Sequence, residues 1–148
     1  MQLRSLSFEE LVGHGVRPSF ARVLSDPESY DSDQRIHIGR TNWDYYVPDN
    51  VSEIVPLWDR NADSIVRWTR CNTTEYVWLF HDDPAWDLLA YSEQGIMHVL
   101  WQEWAEFQES DDECRRFAEY IGFRHCEEAL AIWNEDSETI DWWRLTLT

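Results

Sequence analysis

Between Ile54 and Phe80 the apolar residues come in short runs and alternations, the signature of strands. Ile54 to Trp58 is an apolar run, and Asp59-Arg60-Asn61-Ala62-Asp63 is a turn. Ile65 to Thr69 alternates, Cys71-Asn72-Thr73-Thr74 turns again, and Tyr76 to Phe80 is five consecutive strand formers. The connections are too short for crossover helices, so the pattern predicts one antiparallel meander with strands near 53–58, 64–70 and 75–80. Trp58, Trp68 and Trp78 place one tryptophan on each strand. The last run is apolar on both faces and suits a central strand. Upstream, Ile36 and Ile38 alternate with polar neighbours, and Trp43 to Val47 leads into the turn cluster Pro48-Asp49-Asn50.

On either side the period is helical. Ser7-Phe8-Glu9-Glu10 reads as a capping box, and Pro18 as a first helical position before Phe20, Val23 and Leu24. Residues 25–34 read as loop. From Ser92, the residues Ile96, Met97, Leu100, Trp101, Trp104 and Phe107 fall within an arc of roughly 140° at 100° per residue. His98, Gln102, Glu106 and Glu109 fall opposite. Ser110-Asp111-Asp112-Glu113 is a second capping box. It opens a stripe of Cys114, Phe117, Ala118 and Ile121 that Gly122 stops, and Cys126, Ala129, Leu130 and Trp133 repeat the spacing. Helices are expected over 92–108, 112–121 and 126–133, packed on the sheet. Thr139 to Leu147 alternates and is read as a C-terminal strand. The fold class is α+β, in one domain spanning 1–148.

Composition narrows the function. The chain holds 29 Asp and Glu against twelve basic residues, all arginine, for a net charge of −17. With no lysine there is no Schiff base and no phosphate-loop lysine. Such a charge repels nucleic acid and anionic membrane and attracts a basic protein. Ten tryptophans suit a large core and binding anchors alike. No secretory h-region follows Met1 and no run approaches 18 apolar residues, so the expectation is a cytoplasmic protein.

Residues from about Tyr45 to Phe107 resemble the SUKH superfamily of bacterial immunity proteins and fungal cell-wall-assembly regulators. Three stretches carry the likeness. Ile54 to Asp63 looks like the family's strand, turn and glycine-aspartate element, with Ala62 at the glycine position. Glu75 to Phe80 with His81-Asp82-Asp83-Pro84 resembles its next strand and acidic tail. Ala90-Tyr91-Ser92 through Leu100 looks like its serine-capped helix. The family's early Asn-Gly-Gly element has no counterpart, and an acidic helical extension (110–136) and the strand at 139–147 lie outside the likeness. The resemblance implies an α+β core without enzymatic activity that neutralises a toxin.

The residues supply no catalytic signature. His81, Asp82 and Asp83 are consecutive before Pro84 and point different ways, so a solvated turn is expected rather than a metal site. Cys114, Cys126 and His125 lack paired zinc spacing, and both thiols begin apolar stripes, so they are expected buried and unligated. No metal or cofactor is expected. From Glu103 to Glu138 twelve Asp and Glu stand against three Arg, a net of −9. Glu106, Glu109, Asp111, Asp112 and Glu113 are the candidate partner-binding patch, with Asp82, Asp83 and Trp86 as further candidates. The functional expectation is a non-enzymatic immunity protein that binds a basic toxin domain, such as a nuclease. The alternatives are a small-ligand or carbohydrate binder or enzyme with a pocket lined by Trp43, Trp86 or Trp101, and a regulatory scaffold without a toxin.

Overall fold

A computed structural model describes residues 1–30 and 44–148. The alternation at Ile36 and Ile38, and Trp43, lie outside the described residues. One antiparallel sheet runs in the order β1 (Val51–Arg60), β2 (Asp63–Arg70), β3 (Thr73–Leu79), β4 (Trp86–Ala90). The first three strands are those expected from the alternation, each a residue or more longer at its start. β4 is additional: Trp86-Asp87-Leu88-Leu89-Ala90 is short and follows a turn, and its pairing to β3 makes it a strand. β1 is an edge strand, which is why Pro56 is tolerated, with an irregularity in the ladder between Pro56 and Trp58. β3 is internal, as its two apolar faces require.

The β1–β2 and β2–β3 hairpins each close with two residues at positive φ, Asn61 and Ala62 (52° and 73°) and Cys71 and Asn72 (51° and 63°), the backbone that matches strand twist. Ala62 carries a Cβ where glycine has no penalty. Ala62→Gly is expected to raise stability by about 0.5–1 kcal/mol, the relief of left-handed strain exceeding glycine's extra unfolded-state entropy. A urea midpoint at or below that of the native sequence refutes this.

Helices α1 (Phe8–Gly13), α2 (Pro18–Ser25), α3 (Glu93–Ala105), α4 (Asp111–Ile121), α5 (Cys126–Ala131) and α6 (Ser137–Leu145) complete the described elements, with a 3-10 turn at Pro27–Ser29. The start signals work as the residues suggest. Ser7 and Glu10 make a complete capping box. Ser92 accepts from Gly95 N and Ser110 from Glu113 N, and Gly122 ends α4 at φ 91°. Glu113 does not complete its box: its carboxylate takes the amide of Glu109 instead of that of Ser110.

The main core lies on one face of the sheet, where Trp58, Ile65 and Tyr76 meet Phe20, Ile96, Leu100, Trp104, Phe117 and their neighbours. Trp104 and Phe117 are stacked at 4.5 Å. The other face carries a smaller cluster of Val66, Trp68, Val77 and Leu79, covered by Leu3 and Tyr45. Met1 N donates to Tyr45 O at 2.7 Å, and Tyr45 N donates to Met1 O at 2.8 Å.

Two expectations are corrected, and they are connected. The C-terminal strand at 139–147 is the helix α6: Asp136 caps it by accepting from Thr139 N at 2.8 Å, Ile140 and Arg144 form its buried side, and Leu147, just beyond its end, is buried as well. Because α6 packs on α3 and β4, α3 is covered on a second face and His98, expected on the polar side, is buried. Phe107 leaves the apolar arc: α3 stops at Ala105, and Phe107 is 48% exposed in the turn that follows.

Candidate functional site

The turn between α3 and α4 carries three carboxylates to one place. α3 ends at Ala105 and Ser110 caps α4, so Glu106, Glu109 and Asp111 all belong to the short connection or its borders. They line a pocket of about 350 Å³ together with Ala105, Gln108, Ser110, Cys114, Leu130, Trp133 and Asn134. The pocket therefore has exposed carboxylates along one edge and a mixed lining, in which the apolar Ala105, Leu130 and Trp133 stand beside the polar Gln108, Ser110 and Asn134. The stripe of α5 supplies Leu130, and Trp133 follows directly after that helix. No sequence reading joins these walls to the acidic rim, because they meet only through the packing of α5 on α4.

The other two members of the expected patch do not line this pocket. Asp112 accepts from Arg115 Nη1 at 2.9 Å, and Arg115 bridges on to Glu127 at 2.6 Å. Glu113 is half-buried and turned to the backbone of Glu109. Asp82 and Asp83 stand exposed in the β3–β4 turn, where Asp83 accepts from Ala85 N at 2.8 Å. His81 of that turn pairs with Asp63 at 2.8 Å, which holds the imidazole above its ordinary range. Trp86 is on the opposite face of the sheet, 5.1 Å from the Trp68 ring and under the guanidinium of Arg70 at 4.9 Å. Arg70 in turn forks onto Glu75, which also takes the Trp68 indole N–H at 2.9 Å. Burial pushes the Glu75 carboxyl up, and the bonds from Arg70 and Trp68 more than offset it, leaving it below its ordinary range. Asp82, Asp83 and Trp86 are thus not brought together with Glu106, Glu109 and Asp111.

A second, larger cleft of about 550 Å³ opens between the ends of β1, β3 and β4 and the helices α3 and α6. Its aromatic wall is Trp78, not the Trp86 or Trp101 considered from sequence; Trp101 is fully buried, with its indole N–H given to Cys114 O at 2.9 Å. Arg60 lies over Trp78 at 5.2 Å and reaches Glu103 at 2.7 Å. Burial pushes the Glu103 carboxyl up, Arg60 opposes this, and nearby Glu106 adds to the rise. At the base, Arg144 donates to His98, Asp141 and Gln102 at 2.9, 3.1 and 3.3 Å. Glu106 lines both clefts, so the two acidic openings are adjacent.

Cys114 and Cys126 are buried as expected, and burial pushes both thiols up, Cys126 to about 11. At neutral pH they are protonated and poor nucleophiles. Among the described residues, no three or more His, Cys, Asp or Glu gather as a metal-binding group, and no helix is long and apolar enough to cross a membrane. No family model matches the chain, and no curated protein or solved structure matches it.

Proposed function

We propose that this is a non-enzymatic immunity protein of the SUKH kind, which binds a basic toxin domain and blocks it. The observation that carries the reading is the pocket at the α3–α4 turn. A flat acidic surface would serve solubility alone, but here the carboxylates of Glu106, Glu109 and Asp111 border a concave pocket of mixed lining, with Leu130 and Trp133 in its wall beside Gln108 and Asn134. A charged edge beside an aromatic side chain suits a protein-binding anchor. The family likeness is supported by its three stretches falling on β1 and its turn, on β3 with the acidic turn after it, and on the serine-capped α3. It is also supported by the positive φ of Ala62, where the family carries glycine.

The experiment is to replace Glu106, Glu109 and Asp111 by Arg and to measure binding to whichever basic toxin domain a neighbouring gene encodes; the absence of any such gene counts against the reading. Each rim pair is partly in water and contributes ~0.2–1 kcal/mol, so the joint effect appears chiefly in the association rate. At low salt the triple variant should associate roughly ten- to a hundredfold more slowly, and the gap should narrow as salt rises. An association rate unchanged at both salts removes this pocket from the interface. Tight binding of DNA or RNA by the native protein counts against the whole reading, because a net charge of −17 opposes it.

A further inference from the structure

The cleft between the sheet ends, α3 and α6 has its own chemistry. Its volume of about 550 Å³ falls within the ~300–1,000 Å³ range of pockets that hold a ligand or a partner's side chain. Four carboxylates, Asp87, Glu103, Glu106 and Asp141, face two guanidinium groups. One of the two, Arg144, is already spent on His98, Asp141 and Gln102. What remains is negative, so an anionic ligand is disfavoured. The wall is an indole, Trp78, backed by Phe80 stacked at 5.6 Å. An indole face beside carboxylates matches a planar cation.

Arg60 demonstrates the fit. Its guanidinium takes both features at once, the Trp78 face at 5.2 Å and Glu103 at 2.7 Å. The two partners are unequally held. Glu103 belongs to the cleft, with its side chain 16% exposed, whereas Arg60 reaches into water at 44%. Arg60 is also the last residue of an edge strand, next to the Asn61–Ala62 turn, so its side chain can swing out without disturbing the core. An ion pair with one partner in water holds only weakly.

We propose that this cleft receives an arginine side chain of a protein partner, which replaces Arg60 on the Trp78 face and on Glu103. Arginine is specified over lysine because the site offers a flat face and a carboxylate together, which a guanidinium satisfies and an ammonium does not. The inference deepens the docking reading above, since Glu106 joins this cleft to the acidic pocket. Its test uses no toxin, so the two fail separately.

The probe is Nα-acetyl-arginine methylamide, titrated into the full-length protein at about 0.15 M salt, where long-range attraction is screened. Binding is followed at the Trp78 indole N–H resonance, identified by its loss in Trp78→Phe. Arg60→Ala should bind the probe roughly fivefold tighter than the native protein, because the competing side chain is gone. Adding Glu103→Gln to that variant should weaken binding about tenfold. The citrulline analogue, equal in shape but uncharged, and the lysine analogue should each bind several-fold more weakly. Unfolding midpoints of the variants show that they are folded, and Arg60→Gln serves as a second test of the same competition. If neither Arg60 variant binds more tightly than the native protein, or if citrulline or lysine binds as well as arginine, the proposal is overturned.

Discussion

Between pH 6.5 and 4.5 the native protein should lose about 2 kcal/mol of stability through His98 alone. His98 is buried in α3 with its Nδ1 accepting from Arg144 Nε at 2.9 Å. The rings of Trp143, Phe123 and Trp101 lie 4.9, 5.8 and 5.9 Å away. Burial first, and the adjacent Arg144 charge second, push its folded pKa down to about 3 from an ordinary 6.5. The unfolded chain therefore takes up the proton first. The stabilisation is whole about one unit above 6.5, begins to fall through that value, approaches a loss of about 1.4 kcal/mol per unit below it, and stops falling near pH 3, where the folded protein also protonates. His98→Gln keeps an acceptor for Arg144 and removes the titration. Carboxylates titrate in both proteins, so the difference between their urea-derived stabilities at pH 6.5 and 4.5 isolates His98. Parallel pH dependences in the two proteins refute the assignment.

His98 also shows where the residue pattern stops being sufficient. The three hairpin-linked strands are legible because alternation and turn residues are local properties, and Ser7, Ser92, Ser110 and Gly122 mark helix ends by chemistry contained within four residues. The polar side of α3 is not legible in the same way. Whether His98 faces water depends on what covers it, and the cover is α6, some forty residues later. Reading 139–147 as a strand removed that cover. The helical signal was present in Asp136 as a cap, with Ile140, Trp143 and Leu147 at spacings of three and four, but the neighbouring Trp142 and Thr146 imitate alternation. β4 is not legible in the sequence because five residues after a turn do not define a period; its ladder with β3 is what makes it a strand.

The candidate site divides similarly. The acidic rim could be read from charge density, since Glu106, Glu109 and Asp111 are close in sequence. Its interior could not, because Leu130 and Trp133 arrive from α5 and the turn after it. The larger cleft is built from five elements, and its defining pair, Arg60 and Glu103, is 43 residues apart. Asp112 and Glu113 look equivalent to their neighbours in sequence. In the fold one is committed to Arg115 and the other to a backbone amide.

Trp101→Ala should cost about 3–5 kcal/mol, whereas Trp142→Ala should change stability by less than about 0.5 kcal/mol. Trp101 is fully buried in α3, in T-shaped contact with Trp133 at 5.8 Å and tilted against Phe123 at 5.7 Å, and its N–H is satisfied by Cys114 O. Its removal opens a cavity at the junction of α3, α4 and α5, which cannot close because the adjoining rings are fixed by contacts of their own. Against a typical total of 5–15 kcal/mol, that loss threatens folding at 37 °C. Trp142 lies on the outer side of α6 and is 66% exposed, beside Glu138 and Leu145 in a shallow depression. It gives the folded state little to lose, and alanine is the better helix former. Urea unfolding of the two variants reads the contrast directly. Equal destabilisation would mean that α6 does not present Trp142 to solvent. A silent Trp142→Ala places this aromatic outside the core, on the exposed side of α6.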